Sequence, residues 1–190
     1  ENRNVTIQRN ATSPAFNILA TNNTTSNYDI TLNNLTITGG QTTTNGGALH
    51  IDGVQINLTT NNTIFSNNQA NNGGAVYIHA TTLENSNATF NIATFQNNIA
   101  TTNGGAIYSN IAVTITGTET NISNISQNQA NKGGAIYSES TLTINNANFD
   151  TNTATENGGA IYASGETNID NNTFENNEAD NGGAIYFDST

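Results

Sequence analysis

The stretch Phe149-Asp150-Thr151-Asn152-Thr153-Ala154, followed at once by Thr155-Glu156-Asn157 and Gly158-Gly159-Ala160-Ile161-Tyr162, holds two short signatures in tandem. The first is an apolar residue with Asn three places on and Ala five places on. The second is Gly-Gly-Ala, an aliphatic residue and an aromatic one. Outward from this stretch the second unit occurs six times, at Gly46–His50, Gly73–Tyr77, Gly104–Tyr108, Gly133–Tyr137, Gly158–Tyr162 and Gly182–Tyr186, with intervals of 27, 31, 29, 25 and 24 residues. The first unit precedes each of the last five: Phe65/Asn68/Ala70, Phe95/Asn98/Ala100, Ile125/Asn128/Ala130, Phe149/Asn152/Ala154 and Phe174/Asn177/Ala179. Recurrence at this spacing marks a solenoid, a propeller or an array.

What lies inside one period selects among these. Gly, Asn and Thr are poor residues for a helix interior. The apolar residues alternate instead, as in Val113/Ile115, Leu142/Ile144 and Val54/Ile56/Leu58, which is strand periodicity. Three short strands fit within about 25 residues, whereas a propeller blade needs about 40 or more. The expected fold is all-β: a right-handed parallel β-helix of roughly seven coils with about three strands each. One coil cannot bury enough surface to stand alone, so its stability comes from its neighbours.

Alternation also assigns faces. Leu49, Val76, Ile107, Ile136, Ile161 and Ile185, with Ile51, Ile78, Ser109, Ser138, Ala163 and Phe187 two residues later, share one face, predicted to point inward. The intervening column, His50, Tyr77, Tyr108, Tyr137, Tyr162 and Tyr186, then points outward as an exposed aromatic ladder. The Phe and Asn columns are expected to stack inside, with Asn near a corner where irregular backbone is tolerated and side-chain amides bond from coil to coil. Gly-Gly supplies another corner.

Residues 46–190 form the regular part, and residues 1–45 read as degenerate N-terminal coils or a cap of the same continuous domain. There Ile37, Gly40 and Thr42 take the places of Phe, Asn and Ala, Val5, Ile7, Phe16, Ile18, Ile30 and Leu32 suggest earlier turns, and Pro14 suits an edge. The chain opens at Glu1 without methionine, the expectation for an excised or processed segment. It ends just after a strand, so the edge at Gly182–Asp188 is expected to be uncapped. The first strand of a neighbouring copy, around Val5–Gln8, is expected to pair with that edge if the chain self-assembles.

The composition, with 39 Asn, 32 Thr, 11 Ser and 17 Gly, resembles low complexity; the fixed apolar frame separates it from disorder. Net charge is −11 and only Arg3, Arg9 and Lys132 are cationic, so nucleic acid is a poor partner. No apolar run approaches a membrane span, and the absence of Cys excludes disulfides and thiolate metal sites. Eleven Asn-x-Ser/Thr sequons are no more than this composition produces by chance.

The paired Gly-Gly-Ala-Ile and Phe-x-x-Asn motifs over residues 46–187 resemble the polymorphic outer membrane protein repeats of chlamydiae and related bacteria. That resemblance implies a secreted, surface-located β-helical passenger of an autotransporter adhesin. The expected function is therefore a non-enzymatic extracellular rod or fibre segment at the cell surface. Its partners would be a host or surface protein or glycan, or its own copies stacked head to tail into a filament.

Polysaccharide cleavage is the enzymatic alternative. Asp150 and Glu175 occupy equivalent positions one coil apart, near the separation a glycosidase needs. Stacked repeats place equivalent acids at this distance automatically, however, and Ser126, Gln96 and Ser66 continue the same column. Eight of the 14 acids lie in residues 150–190, with Glu156 and Asp180 in equivalent loops. No Asp-rich loop of calcium-binding spacing accompanies them, so a solvated acidic face is expected. His50 and His79 read as surface residues without a partner acid. No catalytic residue, metal ligand or cofactor is assigned. The site expected from sequence is the aromatic column, with plain stabilisation of the sheet as its competing role.

Overall fold

The computed structural model describes residues 5–8, 19–22 and 27–188. Pro14, Phe16, Ile18, Arg3 and Arg9 lie outside them. The chain winds into an all-β parallel solenoid of about six turns with coils of about 28 residues. Each coil visits four sheets in turn, one strand more than the sequence suggests. A Phe sheet of seven strands runs from Val5–Gln8 to Thr173–Glu175, and an alanine sheet holds Gln69–Asn72, Ile99–Asn103, Gln129–Lys132 and Thr153–Asn157. A tyrosine sheet of seven strands runs from Leu19–Asn22 to Ile185–Phe187, and an aliphatic sheet of six from Asn27–Asn33 to Thr167–Asp170. The alanine strands escape sequence reading because a single small residue points inward from each. Their pairing also slips by a bulge in successive coils.

Register is set by the repeat. Phe65 pairs with Phe95, Phe95 with Ile125, Ile125 with Phe149 and Phe149 with Phe174, while Ile37 joins the same column against Phe65. Phe65 and Phe95 stack at 4.9 Å and Phe149 and Phe174 at 4.8 Å between ring centroids. Phe90, from the aliphatic sheet, meets Phe65 and Phe95 edge-on. Leu49, Val76, Ile107, Ile136 and Ile161 are fully buried, as are Ile51, Ile78, Ser109 and Ser138. Phe187, expected inside, is 58 % exposed because no coil covers the last turn.

Asn68, Asn98, Asn128, Asn152 and Asn177 form the expected internal ladder. Each Nδ2 donates to the Oδ1 of the next Asn at 2.9–3.0 Å. A second Nδ2 hydrogen reaches the carbonyl of the Phe-column residue in the coil before, as Asn98 to Phe65 at 3.0 Å. Each Oδ1 also takes the backbone N–H of the preceding Asn, so the buried amides are satisfied. The irregular backbone falls one residue earlier than expected: Gly39, Asn67, Asn97, Gln127, Thr151 and Asn176 have positive φ.

The two corner glycines answer different needs. Gly104 has φ +63°, and a Cβ on Gly105 would stand 2.0 Å from the Gly134 carbonyl oxygen of the next coil. The first permits the turn, and the second lets coils approach. The longest intervals come from loops that leave the frame, at 81–86 between the tyrosine and aliphatic sheets and at 117–122 between the aliphatic and Phe sheets.

The sheet order corrects one expectation about the ends. Ile185–Phe187 is the last strand of the tyrosine sheet, whose first is Leu19–Asn22; Val5–Gln8 opens the Phe sheet. A copy stacked in frame on Ile185–Phe187 would present Leu19–Asn22 there, and Val5–Gln8 would meet Thr173–Glu175.

Candidate functional site

The aromatic column forms on the outer face of the tyrosine sheet, in register from His50–Tyr77 through Tyr162–Tyr186. Successive tyrosine rings lie 4.9, 5.3, 4.7 and 5.4 Å apart, within 15° of parallel. His50 meets Tyr77 edge-on at 5.1 Å. The coil spacing dictates this, because rings on adjacent parallel strands sit one strand apart. The ladder is less exposed than expected. Most of its members are half-buried and Tyr162 is only 4 % exposed. The rings cover one another's faces, so edges and hydroxyls are what solvent reaches.

Acids line these hydroxyls. Tyr108 donates to Glu139 at 2.7 Å, and the Tyr162 hydroxyl donates to Asp188. Burial, with Asp52 and Glu139 adding repulsion, pushes Tyr77 up to about 12. Burial followed by its bond to Glu139 raises Tyr108, burial and the bond to Asp188 raise Tyr162, and burial raises Tyr137. The strip is thus a row of neutral phenols beside carboxylates.

The histidines are not isolated. His50 Nε2 lies 2.7 Å from one Asp52 oxygen and His79 Nδ1 lies 3.3 Å from the other. Asp52 lies two residues past His50, on the same face of its strand, and beside His79 in register, so one carboxylate serves both. The His50–Asp52 contact is local to one strand, whereas the His79 contact crosses between coils and leaves no mark in sequence spacing. Lys132 takes a place where other coils have Asn; its ammonium is 5.6 Å from the Tyr162 ring centre and 3.9 Å from Glu156.

Asp150 and Glu175 pair in register, and Asp150 accepts from Asn176 Nδ2 at 2.9 Å. Glu156, expected in a loop, lies within the alanine-sheet strand Thr153–Asn157, and Asn181 N–H, next to Asp180, bonds its carbonyl at 2.9 Å. Among the described residues no three His, Asp or Glu side chains converge on a metal position, and no helix is long and apolar enough to cross a membrane.

The Chlamydia polymorphic membrane protein repeat matches at residues 62–79, 93–110, 122–139, 146–164 and 173–188. Each match runs from the Phe strand through the Asn corner and the glycine pair into the tyrosine strand, the segment with the most constrained positions. No curated protein and no solved structure matches the chain. The chain is thus a β-solenoid built on Chlamydia polymorphic membrane protein repeats.

Proposed function

We propose that this chain is a segment of a non-enzymatic, extracellular surface rod with an adhesin-like role, one continuous domain whose irregular coils are at its N-terminal side. The observation that carries the reading is the run of five such repeats in one uninterrupted solenoid. The repeat's name supports a location at the outer membrane or surface. A rigid rod whose outer faces repeat every coil offers a long contact surface without moving parts. We place contact with a partner protein along His50, Tyr77, Tyr108, Tyr137, Tyr162 and Tyr186, through ring edges, hydroxyls and the adjoining carboxylates. Asp150 and Glu175 support no hydrolytic reading, since their column is the ordinary product of stacking.

Beads coated with the chain should attach to cultured cells and be competed by soluble chain. The triple variant Tyr108→Phe, Tyr137→Phe and Glu139→Gln keeps the rings stacked while removing polar edges, so it should lower attachment with its melting profile unchanged. Attachment no greater than that of uncoated beads would overturn the adhesin reading, and full attachment by the variant would overturn the strip.

A filament is the second reading, favoured by one observation. The Phe and tyrosine sheets each hold a strand in both the first and the last coil, so a second copy stacked in frame would extend these two.

A further inference from the structure

The outer face of the alanine sheet carries a cleft of about 340 Å³ lined by Gln41, Thr42, Thr43, Gln69, Asn71 and Thr101 together with the buried Ala70. No charged side chain lines it, in a protein of net charge −11. Its polar groups are only partly paired. Gln41 Nε2 donates to Gln69 Oε1 at 3.0 Å, and the Thr101 and Thr102 hydroxyls both donate to Asn71 Oδ1 at 2.8 Å. Two donors occupy the Asn71 carbonyl. The backbone N–H groups of Asn71 and Gln69 are bonded to the Thr44 and Gly40 carbonyls, whereas the side-chain Nδ2 of Asn71 and Nε2 of Gln69 have no partner among the described residues.

The arrangement recurs. The bulge sets Thr101 and Thr102 together opposite Asn71, and Thr155 with Glu156 opposite Asn131, and Thr155 donates to Asn131 Oδ1 at 3.1 Å. Asn131 thus presents its amide as Asn71 does, two coils away, roughly 9.6 Å at the strand spacing. That is close to the disaccharide repeat of an extended β-linked sugar chain. Charge enters at the far end of this row, where Lys132 follows Asn131 and pairs with Glu156 at 3.9 Å; the cleft itself carries none.

We propose that the cleft and the Asn71–Asn131 row form a binding site for a neutral, extended β-linked oligosaccharide lying along the solenoid axis. Free amide donors would bond sugar hydroxyls or acetamide carbonyls, and Thr and Gln oxygens would accept from the ligand. Uncharged lining within an acidic protein disfavours sulfated or carboxylated chains. The inference rests on the surface-rod reading and names a ligand class for it.

The test follows the side-chain amide resonances of Gln69, Asn71 and Asn131 in the isotopically labelled chain during titration with the β-1,4-linked tetramer of N-acetylglucosamine. Maltotetraose serves as an α-linked control, and a sulfated oligosaccharide of the same length as a charged one. Saturable shifts at these amides with the β-linked tetramer, weaker with both controls, are expected. Asn71→Ala with Asn131→Ala should weaken binding about tenfold, the loss of two modest hydrogen bonds, with the melting profile unchanged. No saturable shift, unweakened binding in the double variant, or equal response to either control overturns the proposal. Bead attachment to cells, measured in parallel, separates the two readings. Attachment that survives when saccharide binding is absent sinks the cleft alone, and loss of both sinks the rod reading too.

Discussion

At the residue scale, asparagine has two separate tasks that sequence alone merges. Asn98 is fully buried and spends its amide on three coils, whereas Asn97 beside it is exposed and turns the chain at φ +55°. Asn98→Ala would strand the Asn68 backbone N–H and one of its Nδ2 hydrogens and take a donor from the Phe65 carbonyl, while Asn128 Oδ1 keeps only the residue-98 backbone N–H. We expect a loss of about 3 kcal/mol or more in urea unfolding. Two residues violate the rules of their columns. Thr60 lies between Leu32 and Phe90 in register, fully buried, its hydroxyl without a partner. Thr60→Val should stabilise by about 1 kcal/mol, since an unpaired buried hydroxyl is replaced by a methyl of the same size. Ile92 has φ +50°, a conformation that Asn62 in the coil before and Asn146 two coils on adopt at the equivalent corner. Ile92→Asn should relieve strain worth about 1 kcal/mol, read as a raised urea midpoint; a lower midpoint in either variant would contradict its premise.

At the scale of the elements, the tyrosine sheet shows what a ladder does to its own chemistry. Stacked rings shield one another, and the neutral phenol is favoured in the fold. Tyr77 is held near 12 against an ordinary value of 10. Above pH 10 the unfolded chain releases this proton while the folded one keeps it, so the unfolded state binds fewer protons and stability falls as pH rises. The contribution is fully present below 10 and lost by about 12. Tyrosinate absorbance should therefore rise late and together with loss of β-sheet circular dichroism. Early, reversible ionisation of Tyr77, Tyr108, Tyr137 and Tyr162 in a folded protein would contradict the stacked, shielded geometry. The column was legible in the sequence because period-two alternation fixes which side it takes. Its shielding was not, since that depends on the distance between coils.

At the scale of the whole molecule, a coil's stability depends on the coils stacked against it. Ile185 and Phe187 are well covered in no direction along the axis beyond Ile161 and Ala163, with which they pair. The isolated 190-residue chain should associate end to end at high concentration, Leu19–Asn22 of one copy adding to Ile185–Phe187 of another. Ile185→Lys with Phe187→Lys should abolish this while sparing the inner coils, because charge blunts a strand edge. Light scattering and negative-stain imaging of both versions provide the measurement. A chain that stays monomeric at every concentration would remove the filament reading and leave the rod.

The sequence by itself determined the parallel solenoid, the buried Phe and Asn columns and the side taken by the tyrosines. All of these follow from residues recurring at fixed places within a coil, and stacking turns recurrence into contact. Only the tertiary structure decided the fourth sheet, the sharing of Asp52 by His50 and His79, the shielding of the tyrosine faces and the polar cleft at Asn71. Each depends on which side chains of neighbouring coils meet across about 5 Å, and on a bulge that shifts one strand against the next. Such offsets leave no period in the sequence, because they arise between coils of unequal length rather than within any one of them.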